Sequence, residues 1–170
     1  GSGWASSRLP RSLRVMMETP TSPVEALTPD PGPIGAVRLV VAGRAVLTVP
    51  IEAVRAEGVV VGSTLSAEVF RRLCAAAEGS AAYTTALKMM ERRPFAAREL
   101  VRRLKLKGHP SEAAQAAVDR ARRAGLLDDE RFARHFVQVR LGRGLGPARL
   151  RRELMARGVG SALAERVLEE

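Results

Sequence analysis

The feature that most constrains this 170-residue chain is that part of its C-terminal half is written twice. A shift of 50 positions, without a gap, aligns Arg93 with Arg143, Leu100 with Leu150, Arg102 with Arg152 and Leu104 with Leu154. The same shift aligns Gly108 with Gly158, Ser111 with Ser161 and Ala114 with Ala164. A repeat of fixed period predicts one supersecondary unit used twice, each copy packing on its neighbour in an elongated array. The identities fall where a helical unit needs them: inward leucines, a glycine that ends a helix, and a serine that caps the next.

Apolar spacing from Ala81 onward is helical throughout. Tyr83–Glu91 reads as one helix. Ala96–Lys107 reads as a second, with Leu100, Val101 and Leu104 inward and Gly108 at its end. Ser111–Ala124 is a third, with Ala114, Ala117, Val118 and Ala121 as a narrow apolar stripe and Gly125 as its stop. The junction AGLLDDERF then starts a helix carrying Phe132, Phe136 and Val139, capped by Asp128 or Asp129, with both leucines packed into the joint. Gly146-Pro147 opens another helix, with Leu150 and Leu154 inward and Gly158 at its end. Ser161 caps the last, which carries Ala164, Val167 and Leu168. The expected units are 81–125 and 126–170.

The N-terminal half differs. Residues 1–33 hold six of the ten prolines among Ser and Thr, which predicts a disordered tail. The chain opens on Gly, so Met16 or Met17 is the expected translation start. Between 34 and 80, alternation at Val37, Leu39 and Val41 and again at Ala45, Leu47 and Val49 predicts a β-hairpin linked by Ala42-Gly43-Arg44. Two strands alone are marginal, so helices at Ile51–Glu57 and Ser66–Glu78 must cover one face. Val69, Phe70, Leu73 and Cys74 would face inward and Gly79 would stop the second helix. The fold class is thus mainly α, with tandem three-helix repeats preceded by a small α+β hairpin module.

Charge separates the halves further. Residues 1–80 carry 8 Lys+Arg against 7 Asp+Glu, whereas residues 81–170 carry 20 against 11, so nearly all of the net +10 lies in the repeats. Such an excess points to nucleic acid, an acidic protein or a membrane surface as partner. Cys74 is the single cysteine, which excludes disulfide scaffolds and cysteine-ligated zinc within the chain. No apolar run is long enough to span a bilayer and no signal peptide is legible, so a cytoplasmic setting is expected.

Catalytic chemistry finds no support in the residues. Asp128 and Asp129 have no further ligands or base converging on them at a recognisable spacing, and acids in a first helical turn satisfy its free N–H groups. His109 precedes Pro110 in a loop and His135 lies in mid-helix, apart from each other. No phosphate-binding glycine loop or nucleophile elbow is present. No catalytic residue, metal site or cofactor is expected.

The basic surface is what remains. Arg98, Arg102 and Lys105 stand at i, i+4 and i+7 on the second helix of the first unit. Arg149 and Arg152 read as close counterparts in the second unit, joined by Arg151 and Arg157. Arg92, Arg93, Arg140 and Arg143 lie at the ends of the first helices. Arginines at equivalent places would make a periodic basic face suited to a periodic anionic partner. Phe95, Phe132 and Phe136 sit at core positions, which argues against a base-stacking platform.

Two blocks, ALKMMERRPFAARELVRRLKLKGHP (86–110) and AGLLDDERFARHFVQVRLGRGLGPARLRRELMARGV (124–159), follow the hairpin module in a specific order. In these blocks the chain resembles the RecX regulatory family, modulators of the RecA recombinase, over about 34–170. The resemblance implies tandem three-helix units that bind along the groove of the RecA–DNA filament. Inhibition of ATP hydrolysis, strand exchange and repressor co-cleavage would follow, with no catalytic residues. It also implies a monomer that meets DNA weakly or through the filament and has no membrane partner. The family pattern has three helical units and this chain carries two, so it is either a fragment or a short member; a missing unit would leave an apolar face uncapped and shorten the reach. The alternative reading is a basic helical DNA-binding module acting without a recombinase; a third is a helical scaffold with no nucleic-acid partner.

Overall fold

The computed structural model describes residues 18–170. The first seventeen residues of the expected tail, with Met16 and Met17, lie outside the described residues. The described residues divide into two compact units, 18–81 and 82–170.

In the first unit the alternating valines and leucines form β2 (Ala36–Val41) and β3 (Arg44–Pro50), paired antiparallel with Leu39 opposite Leu47 and Val37 opposite Val49. Ala42 and Gly43 both take positive φ, 50° and 69°, as a two-residue primed hairpin turn requires. The expected tail needs correction here. Val24–Pro29 is a strand, β1, pairing antiparallel with β2 to give the sheet order β1-β2-β3. Proline density concealed it, but Pro23 and Pro29 fall before and at the end of an edge strand, where a missing N–H does little harm. The third strand also supplies what a lone hairpin lacks. Ala45 is exposed rather than inward, because a bulge passes over Val46 and changes which residues face the core.

Two helices cover the sheet residues. The first, α1 (Ile51–Ala56), buries Val54, and α2 (Ala67–Arg92) buries Phe70 and Leu73 in the same cluster as Leu39, Leu47 and Val49. Ser66 caps α2 by accepting from the Val69 N–H at 3.1 Å. Gly79 does not stop this helix, which runs on to Arg92. A helical glycine costs only about 1 kcal/mol relative to alanine, and the alanine-rich stretches on either side outweigh it.

The second unit contains the end of α2 followed by α3 (Ala97–Leu106), α4 (Ser111–Arg123), α5 (Asp129–Leu141), α6 (Pro147–Ala156) and α7 (Ser161–Glu169). The starts of α3 and α6 are 50 residues apart, as are those of α4 and α7. Leu100, Leu104 and Ala114 are fully buried in one core, and Leu150, Leu154 and Ala164 are fully buried in the next. Gly108 and Gly158 turn the chain with φ of 96° and 89°.

Details of the helix ends differ from expectation. Ser111 and Ser161 are the first helical residues, not caps; Pro110 and Gly160 hold the cap positions, with no side-chain bond. Val139 is exposed and Val137 is buried instead, because Phe132, Ala133 and Val137 share one face at helical spacing. Of the two junction leucines only Leu127 is buried; Leu126 faces solvent. Among the described residues no helix is long and apolar enough to cross a membrane.

Candidate functional site

The junction between the two three-helix units explains its paired aspartates. Asp128 caps its own helix: Oδ1 accepts from the Glu130 N–H at 2.9 Å and the Arg131 N–H at 3.0 Å. These two bonds hold its carboxyl below the ordinary aspartate range. Asp129 caps a different helix. Its Oδ1 accepts from the Ala97 N–H at the start of α3 (2.7 Å), and its Oδ2 from Arg122 Nη2 at the end of α4 (3.1 Å). Ala96, the cap residue of α3, has no side-chain acceptor to offer, and is fully buried in the core of the second repeat. Gly158, at the end of α6, completes the contact: a Cβ there would stand 2.8 Å from the Glu99 backbone N and 3.1 Å from Arg98 Cβ.

Each aspartate therefore has a distinct expected effect. Asp129→Ala orphans a helix N–H and should lower unfolding stability by about 1–2 kcal/mol, measured by urea titration. Asp128→Ala should instead reduce acid sensitivity. With its folded pKa depressed, the cap contributes fully above the aspartate range and fades as pH falls through it. An Asp128→Ala variant that loses stability between pH 5 and about 2 as steeply as the parent would contradict this. No group of His, Cys, Asp and Glu among the described residues could hold a metal ion.

The ten basic residues singled out by sequence fall into two classes. Three are committed to internal contacts. Arg93 Nη2 donates to Glu99 Oε1 at 2.7 Å, and its guanidinium lies 3.7 Å from the centre of the Phe95 ring. Glu99 is the buried charged side chain among the described residues, 3% exposed. Arg140 pairs with Glu153 and lies over Phe136 at 4.2 Å, and Arg149 Nε donates to the same Glu153 at 3.2 Å. The others, Arg92, Arg98, Arg102, Lys105, Arg143, Arg152 and Arg157, have no carboxylate partner among the described residues. Arg98, Arg102 and Lys105 converge. With Val101 and Leu106 they line one shallow concavity of about 340 Å³ on α3, Leu106 being 74% exposed.

The expected periodicity does not hold. At the 50-residue spacing Arg98, Arg102 and Lys105 meet Ala148, Arg152 and Met155, so one of the three charges recurs. Arg149 corresponds instead to the buried Glu99, and the acidic partner moves from that position to Glu153. The cationic surface is concentrated on the first repeat. Sequence spacing found the stripe; it missed Glu99, whose partner Arg93 lies in the loop before α3, and Asp129, whose partners lie on α3 and α4.

Comparison with known proteins agrees with this geometry. Residues 82–120 match the family model for the RecX first three-helix domain, and residues 128–168 match that for the RecX second three-helix domain. The regulatory protein RecX of Pseudomonas syringae pv. tomato is 43% identical over 86 residues, covering 51% of this chain and 56% of that protein. That of Halorhodospira halophila is 38% identical over 96 residues, covering 56% and 60%, and that of Legionella pneumophila (strain Corby) 35% over 89 residues, covering 52% and 59%. The matches thus span between 56% and 60% of these relatives' lengths. A crystal structure of regulatory protein RecX superposes with a TM-score of 0.71 over 87% of this chain and 73% of that one, at 18% identity, a likeness of fold. With both three-helix domains matched in order, the chain belongs to the RecX family.

Proposed function

We propose that this chain is a non-enzymatic regulator that binds the RecA–DNA filament and inhibits ATP hydrolysis, strand exchange and co-protease activity. The observation that carries the reading is the match of both helical units to RecX domains. The α3 surface supports it physically: three cations without carboxylate partners stand beside exposed Leu106, a composition suited to an anionic, repeating surface. Arg98, Arg102 and Lys105 make the principal contact in this reading, with Arg92, Arg143, Arg152 and Arg157 adding longer-range attraction. Arg93, Arg140 and Arg149 serve the repeat's own packing, since their guanidinium groups are already paired.

The test is single-strand-dependent ATP hydrolysis by RecA, with the whole chain added at substoichiometric amounts. Inhibition is expected, and the combined variant Arg98→Glu, Arg102→Glu, Lys105→Glu should need at least about tenfold more protein for the same effect. Its thermal unfolding should match that of the parent, because the three side chains are exposed. No inhibition by the parent chain, with no binding to preformed filament, would overturn the proposal. Tight binding to bare DNA with a steep salt dependence would favour a DNA-binding module instead.

A further inference from the structure

Outside the α3 stripe, the second unit has a groove from which the filament reading draws only Arg157. Two concavities share a wall made by Pro94, Phe132 and His135. One, of about 410 Å³, extends to Met90 and Leu126; the other, of about 210 Å³, extends to Phe136 and Val139. Leu126 and Val139, each 48% exposed, leave apolar surface open on both sides of the shared wall. An aliphatic or aromatic side chain fits such a floor, and burying it there removes both leucine and valine from water.

The rim sets the charge of the occupant. Arg131 lines the first concavity, and Arg93, Arg140 and Arg157 line the second. Neither Arg131 nor Arg157 makes a contact ion pair among the described residues, although the Arg131 charge helps to hold the nearby Asp128 carboxyl down. The one acid in the lining, Asp128, is occupied by two backbone N–H groups. The ring faces are partly occupied too: Phe132 stacks on Phe136 with centroids 6.0 Å apart, and Arg140 lies over Phe136. That leaves little room for bases to stack, and favours apolar side chains with carboxylates beside them. Arginine and aromatic residues around an apolar floor are the composition of protein-binding anchors.

We propose that this groove docks an acidic segment of a partner protein, which seats apolar side chains against Pro94 and Phe132 and places carboxylates at Arg131 and Arg157. The proposal requires no recombinase, so it succeeds or fails separately from the filament reading.

A display library of short random peptides selected against the whole chain tests it. The selected sequences should combine Asp or Glu with Leu, Phe or Met. Their affinity, read by fluorescence polarisation of labelled copies, should fall at least about tenfold for the variant Leu126→Glu, Val139→Glu and for Arg131→Glu. These positions are exposed, and circular dichroism melting confirms that each variant stays folded. The α3 variant carrying Arg98→Glu, Arg102→Glu and Lys105→Glu should bind the peptides within about twofold of the parent. Selected peptides without acids, affinity indifferent to the groove variants, or equal loss in the α3 variant would each overturn the proposal.

Discussion

Gly158→Ala is expected to destabilise the protein by about 2–4 kcal/mol, while Gly108→Ala, its counterpart one repeat earlier, costs about 1–2 kcal/mol. Both glycines take positive φ, so both substitutions incur the backbone penalty of an L-residue in the left-handed region. Only Gly158 adds a steric conflict. Its new Cβ would meet the Glu99 backbone N at 2.8 Å, and a helix backbone cannot step aside as a flexible side chain can. Around Gly108 nothing lies within 4 Å of the added carbon. Paired urea titrations measure the difference directly. Equal losses at the two sites would mean that the contact between α6 and the start of α3 is looser than the geometry indicates.

The second large effect concerns a residue that sequence reading placed on the binding surface. Arg93→Ala should cost about 3 kcal/mol, because it removes the hydrogen-bonded partner of a carboxylate that is 3% exposed. Arg103 remains, but its Nε stands 3.9 Å from Glu99 Oε1, beyond hydrogen-bonding distance, and its side chain is half exposed. The cause is a buried charge left with only the longer Arg103 ion pair, so a second substitution should reverse part of it. Arg93→Ala with Glu99→Leu is expected to be more stable than Arg93→Ala alone, which a double-mutant cycle would read out. If Arg93→Ala left stability unchanged and abolished filament binding, Arg93 would belong to the interface after all.

Much of the repeat was legible because its determinants are local. The 50-residue spacing, the inward leucines and the helix-ending glycines all depend on residues within one or two turns of each other, and the structure keeps that spacing at the starts of α3, α4, α6 and α7. The strand Val24–Pro29 was not legible, because its pairing partner is supplied by β2 and the prolines around it are ordinary signals of irregular chain. Likewise Gly79 looks like a stop when read alone, yet the helix on each side carries it. The stripe Arg98, Arg102, Lys105 could be read from helical spacing on one element. The commitments of Arg93 and Arg140 could not, since spacing says nothing about which acid the next helix presents, whereas the Arg149–Glu153 pair stands at i, i+4 on one helix and was open to the same reading.

The cap that Asp129 lends to α3 also gives the pair of repeats a direction. The residue 50 positions after Ala97 is Pro147, which has no N–H to be accepted. Around it, exposed Gly146 and Arg149 stand where the first repeat has buried Ala96 and Glu99. The first repeat therefore begins its middle helix with a donor that its successor must satisfy, and the second begins the same helix with none. Dependence runs one way, from the earlier copy to the later. Transplanting the second repeat into the place of the first would put proline and arginine where the joint needs a donor and a buried acid, so the two copies, alike in backbone, are not interchangeable parts.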